Sequence, residues 1–192
     1  MREEFIVYIS KKNGLPYEEA AKLADKIKLV PHKKGDILLR EGEFVNSCHF
    51  VLKGCVRQYL LLDGEEKTTA FFTAEQPVPS YDHEKGKQAS RYYLNCVVDS
   101  VLGVSSLELE EAIYSEFPSL ETVTRKVIED DLRKTQDDFA TFITSSPEQR
   151  YLNLLETRSE LMDIAPLHQI ASYLGMTPES LSRIRKRIAS KK

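Results

Sequence analysis

The chain has 192 residues and a formal net charge of −3, with 41% hydrophobic and 30% charged residues. That balance is ordinary for a globular protein of one large or two small domains and excludes a disordered chain. No apolar run approaches the roughly 18–20 residues of a membrane span, and MREEFIVYISKKNG, acidic at once, makes a poor signal peptide, so a cytoplasmic protein without a membrane partner is expected. Three cysteines, Cys48, Cys55 and Cys96, form no CxxC pair and leave an odd count, which fits small buried thiols kept reduced.

Residues 1–28 read as helical. YEEAAKLADKI sets Ala20, Ala21, Leu23, Ala24 and Ile27 largely on one side, acids early and lysines late. From Val30 to about Ser106 the texture changes to short runs rich in β-branched and aromatic residues, DILLRE, CHFVLKG, CVRQYLLL, KTTAFFTA, YYLNCVV and SVLGV. Turn signals at Gly35, Gly42, Gly54 and Asp63-Gly64 punctuate them about every ten residues, which predicts a small antiparallel β-barrel or roll without a helix longer than a turn. LELEEAIYSEF predicts a short helix. Pro118 then suits the first turn of a longer one, because no Pro or Gly follows until after Thr144. Its apolar positions, among them Leu120, Val123, Val127, Ile128, Leu132, Phe139, Phe142 and Ile143, fall near helical periods despite the polar DDLRKTQDD. About 26 residues at 1.5 Å each give a helix of about 40 Å, which in a small monomer cannot bury both faces. It is either a core helix on the barrel or a dimer seam formed by Val127, Ile128, Leu132, Phe139 and Phe142; helix-pairing physics favours the seam. Ser145-Ser146-Pro147-Glu148 marks a restart and a domain hinge, with Ser146 as cap and a helix to about Met162. The expected division is therefore 1–115 for the roll with its N-terminal helices, 116–144 for the dimerisation helix and 145–192 for a helical unit.

That last unit is the most informative part of the chain. Pro166 opens a short helix, LHQIASYLG, that ends on Gly175 in the left-handed conformation. Met176 tucks into the turn, Thr177 caps the final helix and Pro178 takes its first position. Counting from Leu167, apolar residues fall at the fourth, eighth, tenth, fifteenth and eighteenth places (Ile170, Leu174, Met176, Leu181, Ile184), with small Ala171 at the fifth and Gly175 at the ninth. Seven constrained positions together predict a helix-turn-helix. Leu181, Ile184 and Ile188 form one stripe of the last helix, and Glu179, Ser182, Arg183 and Lys186 lie opposite, with Arg187 at the flank. From Thr177 to Lys192 six basic residues stand against Glu179 alone, so this segment is +5 while the preceding 176 residues are −8. Most charge runs are only solvated faces. A basic face on the second helix of this motif instead predicts a DNA contact, with phosphates as the counter-charge.

With these residues in place, the chain resembles a Crp/Fnr-family transcription regulator over nearly its whole length. KKGDILLREGE, FVLKGCVRQYLL and DGEEKTTAFF match that family's glycine-punctuated strands, and Glu179, Ser182 and Arg183 fit the Glu-x-x-Ser-Arg pattern of the Fnr branch. The resemblance implies an α+β fold: an antiparallel cyclic-nucleotide-binding-like β-roll (a double-stranded β-helix), a long dimerisation helix and a C-terminal helix-turn-helix. It implies a homodimer on double-stranded DNA with inverted-repeat, TGA-like half-sites, with RNA polymerase and a small-molecule effector of unknown identity as further partners. It also implies roles: Arg183 to guanine N7 and O6, Glu179 to a cytosine amino group, Ser182 to a base edge or phosphate. Lys186, Arg187 and Thr177 complete the expected DNA-facing set, and His168 and Gln169 on the preceding helix are candidate phosphate contacts.

Three departures from the family's pattern stand out. EQPVPSYDHEKGKQASRYYLNC lacks the Gly-Glu and Arg-Ser/Thr-Ala of the nucleotide-phosphate cassette, so a regulator that does not respond to cAMP is expected. The N-terminal cysteine cluster of the oxygen-sensing branch is missing, and the sequence stops just past the recognition helix, before the usual β-hairpin wing. Lys85, Lys87 and Arg91, with Tyr92 beside them, make the cassette region basic; this is a solvated loop or a site for another anionic effector. Cys48 and His49 are adjacent, so on a strand they face opposite ways and cannot share a metal. No nucleophile–base pair or paired catalytic carboxylates are visible, and neither enzyme activity nor a cofactor or metal is expected. The rival reading from another class is a sensor module, for a nucleotide-like ligand or for redox state through haem, with no direct DNA role.

Overall fold

A computed structural model describes residues 1–45, 47–78 and 89–190. Among these residues two helices, α1 (Arg2–Asn13) and α2 (Tyr17–Lys26), lead into eight strands: β1 (Lys28–His32), β2 (Ile37–Leu39), β3 (Ser47–Lys53), β4 (Cys55–Leu62), β5 (Glu65–Thr73), β6 (Gln76–Val78), β7 (Tyr93–Cys96) and β8 (Ser100–Ser106). Six helices follow among the described residues: α3 (Leu107–Glu116), α4 (Pro118–Thr144), α5 (Pro147–Thr157), α6 (Leu161–Ile164), α7 (Leu167–Tyr173) and α8 (Pro178–Ala189). The strands form two antiparallel four-stranded sheets, ordered β1-β8-β3-β6 and β2-β7-β4-β5. This is the antiparallel roll expected from the turn spacing, within the α+β fold that the resemblance implied. Among the described residues no helix is long and apolar enough to cross a membrane.

Side-chain alternation along the strands sorts the residues into three apolar clusters. Val51, Val56, Val78, Leu94, Cys96 and Leu102 fill the space between the sheets. Phe5, Ile6, Ile9, Leu23, Ala24, Ile113, Phe117 and Leu120 bring α1, α2, α3 and the start of α4 together, with Phe50, Leu52 and Leu29 of the first sheet against them. The third cluster joins Cys55, Phe71 and Val97 on the outer face of the second sheet to Tyr151, Leu154, Leu161, Ile170, Ala171, Leu174, Leu181 and Ile184. Each sheet is thus buried on both faces, outside by a different set of helices.

Local chemistry fixes the connections. Asp63 and Gly64 both have positive φ (53° and 80°), the signature of a two-residue hairpin turn between β4 and β5. Gly54 (φ +99°) joins β3 to β4 where an added Cβ would lie 2.8 Å from the Ser100 Cα, so only glycine fits. Ser146 and Gln149 form a reciprocal capping box at the start of α5, and Pro147 occupies the first turn.

The long helix runs unbroken through its polar stretch for 27 residues. Its first turn is anchored by buried Leu120, whereas Asp131–Ala140 is exposed throughout. The expected helix to about Met162 is corrected: α5 stops at Thr157, and Arg158 (φ −147°) breaks it. The break lets Leu161 drop fully into the third cluster while the Arg158 guanidinium turns back to the sheet.

Candidate nucleic-acid interface

The unit α7–turn–α8 is built from one side outward. Ile170, Ala171 and Leu174 of α7 and Leu181 and Ile184 of α8 are all buried, and α5 supplies Tyr151 and Leu154 beneath them. Burying such a stripe is worth about 1.5–3 kcal/mol per large side chain before entropy is counted. The turn is closed by Gly175 in the left-handed region (φ +64°) and by the Met176 N–H donating to the Ala171 carbonyl at 3.0 Å. Thr177 caps α8 by accepting from the Ser180 N–H at 3.3 Å, and Pro178 takes the first turn.

With the apolar stripe buried, Glu179, Ser182, Arg183, Arg185, Lys186 and Arg187 are exposed. Arg183 is steadied by a 3.3 Å bond to the Ser180 hydroxyl. The Glu179 carboxyl is held below its ordinary range, first by its own backbone N–H at the start of α8, then by the Thr177 hydroxyl and the Arg183 charge. It therefore presents acceptor oxygens at neutral pH.

Not every expected contact stands equally free. Arg187 is ion-paired with Glu148 and ties α8 to the first turn of α5. The Thr177 hydroxyl is spent on the cap. His168 is exposed, but the side-chain oxygen of Gln169 is buried without a hydrogen-bond partner, so the two candidate phosphate contacts face different surroundings.

On α4, Ile128, Leu132, Phe139 and Ile143 are 57%, 58%, 65% and 63% exposed in the single chain. At about 100° per residue they fall within about 60° of arc, an apolar stripe that no described residue covers. Val127 is half-buried and lies off that stripe. Phe142 sits at its flank: its ring lies under the Arg150 guanidinium (4.4 Å to the centroid) and abuts the Gly175 turn.

Of the expected effector residues, Lys85 and Lys87 lie outside the described residues. Arg91 is exposed and Tyr92 half-buried, with the backbone N–H and C=O of Tyr92 both bonded to the Ser90 hydroxyl. Gln58 of β4 is buried, and its side-chain oxygen accepts from the Thr69 hydroxyl at 2.9 Å. The buried guanidinium of Arg57, 1% exposed and opposite Phe71 in the sheet, is paired with Glu66 and lies 4.1 Å over the Tyr59 ring. No pattern in the sequence marked it, because an arginine in a β-strand is ordinarily a solvated one.

The Cys55 thiol is pushed up to about 12 by burial against the opposing pull of Arg158, an inert group rather than a reactive one. Among the described residues no cluster of His, Cys, Asp and Glu could hold a metal ion.

Residues 29–105 match the cyclic nucleotide-binding domain family. No curated protein matches the sequence. Solved structures do. FixK2 from Bradyrhizobium japonicum superposes with a TM-score of 0.70 at 20% identity, covering 86% of this chain and 85% of that one. The c-di-GMP-responsive global regulator CLP of Xanthomonas campestris gives 0.73 at 12% identity, over 92% and 93% of the two chains. The catabolite activator protein of Thermus thermophilus gives 0.55 at 19%, over 93% and 85%. At 86–93% of this chain, the covered share is larger than the roll with its N-terminal helices, so the likeness extends past it.

Proposed function

We propose that this chain, Crp/Fnr-like in fold, is a homodimeric, sequence-specific DNA-binding transcription regulator that does not respond to cAMP. The observation that carries the reading is α8: a capped helix, seated on α7 by an apolar stripe, that leaves Glu179, Ser182, Arg183 and Lys186 uncovered along one face. A face of that size and chemistry fits the major groove. There Arg183 pairs with guanine N7 and O6, Glu179 accepts from a cytosine amino group, Ser182 bonds a base edge or phosphate, and Lys186 neutralises phosphate. The uncovered stripe on α4 supplies the seam for a second copy, and two copies require an inverted repeat. Independence from cAMP is supported by the missing cassette residues and by the aliphatic lining between the sheets. A cyclic phosphate needs backbone N–H groups freed by glycine and a bidentate guanidinium, without which its charge is desolvated with little return.

Selection of bound fragments from genomic DNA, with and without cell extract, tests this. An inverted repeat is expected, and Arg183→Ala is expected to lose about 1–3 kcal/mol and its preference at one guanine per half-site. Full discrimination retained by Arg183→Ala would remove α8 from the role assigned to it.

A further inference from the structure

Among the described residues β5 is the outer strand of its sheet, and no described strand pairs with its outward N–H and C=O groups. The helical unit supplies the partners. The Ser172 hydroxyl of α7 accepts from the Thr68 N–H at 2.9 Å and donates to the Glu66 carbonyl at 3.1 Å, occupying the place a neighbouring strand would take. Farther along β5, the Arg158 guanidinium donates to the Phe71 carbonyl at 3.0 Å. At that same residue the Tyr173 ring meets the Phe71 ring edge-on, with centroids 5.4 Å apart.

We propose that Ser172 and Arg158 are positioning residues for DNA recognition: they clamp the helix-turn-helix to the edge of β5 and so fix the attitude of α8 relative to α4. The inference rests on the DNA-binding reading above. Two facts make the clamp a positioning device rather than a lock on an inactive form. The DNA-facing side of α8 remains exposed while α7 is docked. And only Ser145 and Ser146 separate α4 from α5, so without the clamp the unit would be oriented by that short link, the Phe142 contact and the non-directional apolar packing on Cys55, Phe71 and Val97. α7 is committed twice, through Ile170, Ala171 and Leu174 to α8 and through Ser172 and Tyr173 to the roll. A rigid connection therefore runs from the sheet to the recognition helix. In a dimer the two recognition helices must match half-sites about 34–36 Å apart, and that match is what a fixed attitude secures.

The test uses the full chain and the inverted repeat recovered by selection, that repeat with one or two base pairs added at its centre, and a fragment holding one half-site. Wild type is expected to bind the native spacing and to lose most affinity on the lengthened ones. Ser172→Ala is expected to bind the native spacing about tenfold more weakly, the scale of one lost hydrogen-bonded group. It should bind the single half-site as wild type does and show a smaller penalty for added base pairs; Ser172→Thr, which keeps the hydroxyl, restores the wild-type pattern. Tighter binding by Ser172→Ala would overturn the proposal by making the clamp inhibitory. Equal losses on full and half-sites would overturn it by reducing Ser172 to a folding contact, and so would unchanged binding. If wild type selects no DNA sequence, the functional reading falls and this inference with it; wild type that binds while Ser172→Ala matches it removes the clamp alone.

Discussion

Gly175→Ala is the sharpest single perturbation of the helix-turn-helix, because two separable penalties meet there. The residue has φ +64°, where an L side chain costs about 1–2 kcal/mol. Its new Cβ would also lie 2.7 Å from the Phe142 Cζ, closer than carbon atoms approach. Phe142 is 39% exposed, so its ring can give way, and the steric part is set at the low end of the overpacking range, about 1 kcal/mol. The expected total is about 2–3 kcal/mol. Urea unfolding of wild type, Gly175→Ala, Phe142→Ala and the double variant forms a cycle that splits the two. In the Phe142→Ala background the steric part vanishes, and Gly175→Ala should cost only the backbone share of about 1–2 kcal/mol. An identical cost in both backgrounds would refute the contact between α4 and the turn. A neutral Gly175→Ala would refute the left-handed backbone itself.

Four further outcomes are expected. Lys186→Ala weakens binding to all sequences alike and reduces the slope of log K against log salt by about one unit, read from titrations at several salt concentrations. Leu132→Asp places a charge in the α4 stripe at a desolvation cost of several kcal/mol per dimer, and light scattering should report monomers that have lost operator binding while the roll keeps its circular dichroism. Calorimetry with cAMP or cGMP should show no binding at micromolar ligand, whereas micromolar binding abolished by changes in residues 77–96 would contradict the argument from the missing cassette. Burial, and then the charge of His32, lowers the His49 imidazole from its ordinary value. The unfolded chain thus takes up the proton first, stability falls as pH drops below about 6.5, and His49→Gln should flatten that fall in unfolding midpoints measured from pH 7 to 5.

How far the sequence could be read depended on whether a constraint was local. Gly175, Thr177 and Pro178 act on their own backbone within one turn of helix, and the stripe of Ile170, Leu174, Leu181 and Ile184 repeats at the helical period, so the helix-turn-helix was visible residue by residue. The turn glycines similarly located the strands but not their pairing. That β1 lies beside β8 is a contact across the length of the roll, and no spacing encodes it. The end of α5 was misplaced for the same reason, since Arg158 is an acceptable helix former whose guanidinium is drawn out by a carbonyl 87 residues away. Nothing in the sequence pattern distinguishes Ser172, a polar residue on a short helix, and it is the edge of β5 that gives its hydroxyl a task. Along α4 the apolar periodicity was legible, but which positions lie on the uncovered stripe was not: Ile143 joins it, whereas Val127 falls away and Phe142 turns toward Gly175.

The third cluster bears on how portable the C-terminal helices are. Cys55, Phe71 and Val97 belong to the roll, yet they close the same apolar interior as Tyr151, Leu161, Ile170 and Leu181. Residues 145–192 are therefore not a cassette that can be moved between proteins at the Ser145 junction. Grafted onto a roll with polar residues at the places of Phe71 and Val97, they would arrive with an uncovered flank, and a working chimera has to carry its own stretch of sheet as part of the transplant.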